Sequence, residues 1–252
     1  MNLHTCILTG NDCYRAGRTI VPKGVMVHST GANNPRLSRY VAPDDGMLGQ
    51  PSSLHWNQSG TGACVHAFIG RLADGSVAVY QTLPWDMRGW HCAGSANDTH
   101  ISFEICEDGL KDPDYFAAVY REAVELTAHL CKLFDLDPLA DGVVLCHSEG
   151  YLQGIASNHA DVLHWFPRFG RSMDDFRADV AREMEDNVTI YKTLQDVPES
   201  YRPTIRRLME AGALTGHSDP VPGRLEDNVL DIDETYCRIM TTLDRLGVLE
   251  VK

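Results

Sequence analysis

The chain has 252 residues, enough for one sizeable core or for one domain with a small appendage. Its 43% apolar and 23% charged residues are the composition of a soluble globular protein. A net charge of −13 argues against nucleic acid as the main partner and offers no polybasic patch to a membrane, while leaving a positively charged polymer open.

Residues 1–24 read as irregular, with turn signals at Gly10-Asn11, Gly17 and Pro22-Lys23-Gly24. No basic region precedes an apolar run there, so no secretory signal is expected. The chain is expected to stay in the cytoplasm unless something releases it. No stretch approaches the roughly 18 uncharged apolar residues of a membrane span. Val25-Met26-Val27 is a short strand that ends on His28. A Gly/Pro/Asn/Ser-rich stretch follows, from about Gly31 to Gly62, longer than loops in compact domains usually are; Tyr40, Leu48, Leu54 and Trp56 suggest that parts of it pack down.

Ala63–Leu72 and Ser76–Leu83, joined by Ala73-Asp74-Gly75, read as a hairpin. Trp85–Asp98 is a loop that carries Trp90 and His91, and Ile101–Glu107 is a buried strand. Asp112-Pro113-Asp114 starts a helix, with a capping Asp and Pro in the first turn. Apolar residues then recur at helical spacing from Phe116 to Phe134. Val143–His147 is a strand opening into a loop, Ser148-Glu149-Gly150, and Ser172 caps a helix from Met173 to about Glu185. The expected fold is therefore α/β, a mixed central sheet flanked by helices.

The tail differs in character. Residues 187–200 are polar, and two helical patterns follow, Tyr201–Ala211 and Asp233–Leu246, joined by a Gly/Pro/His/Asp-rich connection around 212–228. A boundary is expected near Glu185–Thr193, giving a domain of residues 1–186 and a small helical module of residues 187–252. Some sixty residues make a marginal core alone, so the module is expected to pack on the first domain or pair with another copy. Of the eight cysteines, most are expected to be reduced core thiols; only Cys6 and Cys13, in a terminal loop, invite another reading.

Two strands that each deliver a histidine at their end, His28 and His147, together with Asp161, form a candidate metal set. Three protein ligands with an open fourth position is the pattern of catalytic rather than structural zinc. His159 stands two residues before Asp161, and in an extended segment the two point the same way, so either residue is a candidate ligand. We prefer Asp161 as ligand and His159 as the group that hydrogen-bonds the reacting oxygen. A hydrolytic zinc site also needs a base. Glu104, a carboxylate inside the apolar run Ile101-Ser102-Phe103-Glu104-Ile105-Cys106, is the first candidate, because its burial needs a reason and would raise its pKa. Glu107 and Glu149 are fallbacks. His66, Trp90 and His91 are expected to line the cleft and contact substrate. His55, His100, His129 and His164 receive no role.

The runs MVHSTG, CVHAFIGRLADGSVAVYQTLPW, GWHCAG, ISFEICE and VLCHSEG…NHADVLHWFP, in that order, resemble the type 2 N-acetylmuramoyl-L-alanine amidases, a family of zinc enzymes that includes phage endolysins, prophage lysins and the peptidoglycan recognition proteins. The resemblance covers about residues 20–180. It implies one zinc ion on His28, His147 and Asp161, with Glu104 as the catalytic glutamate. It also implies hydrolysis of the amide between N-acetylmuramic acid and the L-alanine of the peptidoglycan stem peptide. Where the family commonly has an oxyanion-stabilising lysine, two before the third ligand, this chain has His159. Where the family has a Tyr-His pair, it reads Val65-His66. The tail resembles small helical tails of clostridial-type prophage amidases, which implies wall attachment or homodimer formation. The expected setting is a phage or prophage endolysin, or an autolysin, held in the cytoplasm until lysis or holin-dependent release. The alternatives are a cytoplasmic muropeptide-recycling amidase and a non-catalytic peptidoglycan-binding module.

Overall fold

Six short runs become the strands of one sheet in the computed structural model, which describes residues 1–186, 190–214 and 229–249. They are β1 (Leu3–Thr5), β2 (Gly24–Ser29), β3 (Ala67–Arg71), β4 (Val77–Gln81), β5 (His100–Ile105) and β6 (Val144–Cys146). Their spatial order is β1-β4-β3-β5-β2-β6, with only the β3–β4 hairpin antiparallel. The sheet is thus mixed and flanked by helices, as the alternation of elements predicts. Strand β1 went unread because three residues at an edge, half exposed, carry no period.

Alternation along the strands assigns the two faces. Val25 and Val27 of β2 and Ile101, Phe103 and Ile105 of β5 point into the main apolar core. The long helix α2 (Pro113–Phe134) and α4 (Met173–Asp186) carry Phe116, Tyr120, Phe176 and Val180 into the same core. Each large side chain buried there contributes about 1.5–3 kcal/mol. Helix α2 starts where the sequence predicts, with Asp112 accepting hydrogen bonds from the Asp114 and Tyr115 amides. The opposite face carries His28 and Glu104. Part of it is covered by the long 31–66 segment, whose Leu37, Tyr40, Val41 and Leu48 pack on Phe68 and Tyr80.

Three sequence expectations change. His147 opens a helix rather than a loop: α3 spans His147–Leu152, after the four-residue α1 at Asp12–Arg15. Glu149 bonds back to the Cys146 amide at 2.9 Å and caps it. Gly150 looks like a loop signal in sequence. It sits in the helix because a Cβ there would lie 2.7 Å from the Met26 methyl.

The second change is at His66, expected to contact substrate. It is fully buried and spent on backbone: Nδ1 accepts from the Ser102 amide at 3.0 Å and Nε2 donates to the Met87 carbonyl at 2.8 Å. It brackets β3, β5 and the Trp85–Asp98 loop, and burial lowers its pKa to about 4. The third change is at Cys13 and Cys64, which are joined in a disulfide, while Cys6 stays a thiol. The partner of Cys13 lies 51 residues away, a distance no local pattern reports.

The chain divides into two compact units, Met1–Met184 and Glu185–Lys252. In the second, β7 (Ile190–Tyr191) pairs antiparallel with β8 (Ile232–Asp233), and α6 (Glu234–Arg245) packs against β8 and α5 (Arg202–Glu210). Leu194, Val197, Ile205, Leu208, Leu230 and Cys237 form a core of its own. Asp233 caps α6 through the Tyr236 amide. Residues 187–189, inside the expected boundary, and 215–228, in the expected connection, lie outside the described residues. Among the described residues no helix is long and apolar enough to cross a membrane.

Thiol titration of the unreduced, denatured protein gives six thiols, matching Cys6, Cys92, Cys106, Cys131, Cys146 and Cys237; eight would contradict the bridge. A loop of that length makes reduction cost about 4 kcal/mol in the chain-entropy picture. His66 is held neutral in the fold, so unfolding takes up a proton below pH 6.5. Its contribution is full above that pH and is lost as pH falls from there toward about 4, on the order of 3 kcal/mol in all. Urea unfolding across that window shows a shallower pH slope for H66Q than for the parent; parallel slopes would refute the assignment.

Candidate active site

The site forms at the carboxyl ends of β2, β5 and β6. His28 is the fifth residue of β2, and Glu104 is its register partner on parallel β5, so both side chains leave the same face. His147 follows β6, which flanks β2 on the other side. Asp161 arrives from a 3-10 turn, Asp161–His164, whose Val162 is seated in the main core. Asp161 has φ +41°, a left-handed conformation that costs a non-glycine residue roughly 1–3 kcal/mol and persists only where the surroundings impose it.

Three donor atoms converge. Asp161 Oδ2 lies 3.1 Å from His28 Nδ1 and 2.8 Å from His147 Nδ1, and the two Nδ1 atoms are 3.2 Å apart. The outer nitrogens have separate partners. His28 Nε2 meets His91 Nδ1 at 3.0 Å, and His147 Nε2 meets Ser157 Oγ at 3.1 Å. Moving the Nδ1 protons to Nε2, where those outer partners accept them, would leave both Nδ1 lone pairs for a cation beside the carboxylate. Two imidazoles, each oriented by an outer hydrogen bond, and one carboxylate are a donor set that fits zinc with a position left for water or substrate.

The electrostatics suit that set. Burial pulls the His28 imidazole below its ordinary pKa, so it stays a neutral donor. Burial alone would raise the Asp161 carboxyl, but the hydrogen bonds from His147 and His28 outweigh it and hold Asp161 far below the usual range. Glu104 is pushed the other way, well above its ordinary value, first by burial and then by the charges of Asp161 and Glu107. Its Oε2 is buried without a hydrogen-bond partner, while the residue keeps some surface on the cleft.

The cleft has a volume of about 420 Å³ and is lined by His28, Glu104, His147 and Asp161, with Trp90, His91, Ser157 and His159 around them. His159 is exposed on the rim. Its ring centroid is 4.7 Å from that of His147, and Nδ1 lies 3.2 Å from Ser157 Oγ. Trp90 is half-buried and pairs with Cys64 through backbone hydrogen bonds, which ties this wall to the disulfide. His91 lines the cleft, but its nearest partner is the outer nitrogen of His28, so it orients a candidate ligand. Its other nitrogen is buried and unpartnered, and burial holds the ring neutral.

The loops that carry His91 and His159 are stapled together. The Ala96 amide donates to the Ile155 carbonyl at 3.0 Å and the Ser157 amide to the Cys92 carbonyl at 2.8 Å. Gly94 is required at this crossing, since a Cβ there would stand 2.2 Å from the Ile155 oxygen.

The fallback bases are committed elsewhere. Glu149 is paired with Arg177 at 3.0 Å, beside a second hollow of about 360 Å³. Glu107 is buried and accepts from Ser29, Gly31 and His164. Ser157 went unread in the sequence because a serine in a polar loop carries no signal of its own.

A family profile described as N-acetylmuramoyl-L-alanine amidase matches residues 17–163, more than half of the chain. None of the curated proteins searched matches it. Among solved structures, the chain is similar to the Staphylococcus aureus hydrolase AmiA in complex with its ligand, at 20% identity and a TM-score of 0.51, over 73% of this chain and 82% of that one. It is also similar to the PlyG catalytic domain, at 20% identity and a TM-score of 0.50, over 73% of this chain and 96% of that one. Likeness at such identity shows a shared fold; the family rests on the profile match. The chain belongs to the N-acetylmuramoyl-L-alanine amidase family and is a peptidoglycan amidase.

Proposed function

We propose that the chain is a zinc-dependent amidase that cuts the bond between N-acetylmuramic acid and the L-alanine of the stem peptide, acting as a phage or prophage endolysin or an autolysin. The observation that carries this reading is the convergence of His28 Nδ1, His147 Nδ1 and Asp161 Oδ2 beside a buried glutamate, at the mouth of a cleft. A zinc ion on those three residues would lower the pKa of bound water and polarise the scissile carbonyl.

The chain's own residues supply the rest. Burial poises the Glu104 carboxylate to take the proton of the attacking water and to give it to the leaving alanine nitrogen. His159, on the rim two residues before Asp161, is the imidazole available to hydrogen-bond the developing oxyanion in place of a lysine. Trp90 offers an indole face on the cleft wall to the sugar or peptide. His91 and Ser157 hold the two histidine ligands in the productive tautomer.

Residues 187–252 are proposed as a wall-attachment or homodimer-forming module. The support is that the segment has an apolar core of its own. In this reading the enzyme waits in the cytoplasm and reaches the wall on release.

Digestion of purified peptidoglycan followed by mass analysis releases stem peptides that begin at L-alanine. Released sugars or cut cross-bridges would refute the reaction. E104Q lowers kcat by about 10²–10⁴-fold and keeps one bound zinc per chain; full activity in that variant would remove Glu104 from the chemistry. D161A loses both zinc and activity, and a variant that kept full activity would overturn the ligand assignment.

A further inference from the structure

Glu107 and His164 belong to no step of the reaction above, yet they form a buried polar node directly behind it. Glu107 follows β5 and is 4% exposed. A single oxygen, Oε1, accepts from Ser29 Oγ at 2.7 Å, from the Gly31 amide at 3.2 Å and from His164 Nε2 at 2.8 Å. The Glu107 amide itself donates to Thr30 Oγ1 at 3.1 Å. Ser29 is the residue after ligand His28. His164 is the last residue of the 3-10 turn that begins at ligand Asp161. One carboxylate oxygen therefore joins the two chain segments, 133 residues apart, that must present Nδ1 and Oδ2 to the same point.

The turn needs such a tie. Asp161 sits at φ +41°, where a non-glycine residue relaxes unless it is held. Val162 and Trp165 plant the turn in the apolar core. Apolar contacts fix its depth but are non-directional, and they leave its rotation free. A hydrogen bond from the last residue of the turn to a buried carboxylate is directional and sets that rotation.

We propose that His164 and Glu107 are positioning residues for the metal centre, holding the Asp161 turn in register with the end of β2 so that the carboxylate meets the His28 and His147 nitrogens. This rests on the zinc reading of the site. Outer partners of this kind are worth about 10–100-fold in metal affinity. Glu107 keeps its Ser29 and Gly31 donors when His164 is removed, so the loss of His164 costs little global stability.

Zinc affinity measured by competition with a chromophoric chelator, with the melting temperature of the metal-free protein recorded alongside, tests the proposal. H164A weakens zinc binding by about 10–100-fold. H164Q, whose amide N–H can replace Nε2 as donor, stays near the parent, and the metal-free melting temperature of H164A stays near that of the parent. Parent-like zinc affinity in H164A would overturn the positioning role, as would an affinity loss that H164Q shares or one that tracks a lost melting temperature. A parent protein that binds no zinc would remove the metal reading and this inference together. A parent that binds zinc with H164A unchanged would remove this inference alone.

Discussion

One carboxylate oxygen, Asp161 Oδ2, is approached from two sides by histidine nitrogens at 2.8 and 3.1 Å, and the rest of the amidase domain is arranged to keep it there. The arrangement is costly by itself. It crowds two imidazoles, buries a carboxylate and places an aspartate in a left-handed backbone conformation. A cation at that point would relieve the crowding, because it replaces competition for a proton with shared coordination.

The fold makes this possible through strand order. β2 lies between β5 and the edge strand β6, so His28 and Glu104 leave neighbouring strands at one end of one face and His147 follows the third strand at the same end. Helix α3 packs on that face at Met26. The long 31–66 segment closes over part of it and leaves a cleft at the end where the polar groups stand. The cleft walls are fixed by few but long-range ties: the Cys13–Cys64 bridge behind Trp90, the His66 bracket, the close crossing at Gly94, and the Glu107 node under Asp161. The two carboxylates next to each other are driven apart in acidity, Asp161 downward by its histidines and Glu104 upward by burial. One group suited to hold a cation and one suited to carry a proton result from the same small volume.

Much of this is legible in the sequence because it is local. A histidine at the end of an apolar run marks a strand that delivers a ligand, and a glutamate within such a run marks a buried carboxylate. Those two patterns point to His28, His147 and Glu104; the structure gathers Asp161 with the two histidine nitrogens and leaves His159 on the rim. What the sequence hides is set by contacts across long separations. The partner of Cys13 is a cysteine in a distant loop. His66 looks like a cleft residue until both its nitrogens are seen bonded to backbone. His91 looks like a substrate contact until its nitrogen is seen on His28, and His164 looks idle until Glu107 is found beneath it. The α3 helix is masked by a glycine whose reason is a methionine on another strand.

The most direct test of the central claim is anomalous diffraction at the zinc edge from crystals of the zinc-loaded protein. The account predicts a single peak bonded to Nδ1 of His28, Nδ1 of His147 and a carboxylate oxygen of Asp161, at about 2.0–2.2 Å from each. A peak bound through His159 in place of Asp161, or no ordered zinc between β2 and β6, would contradict it.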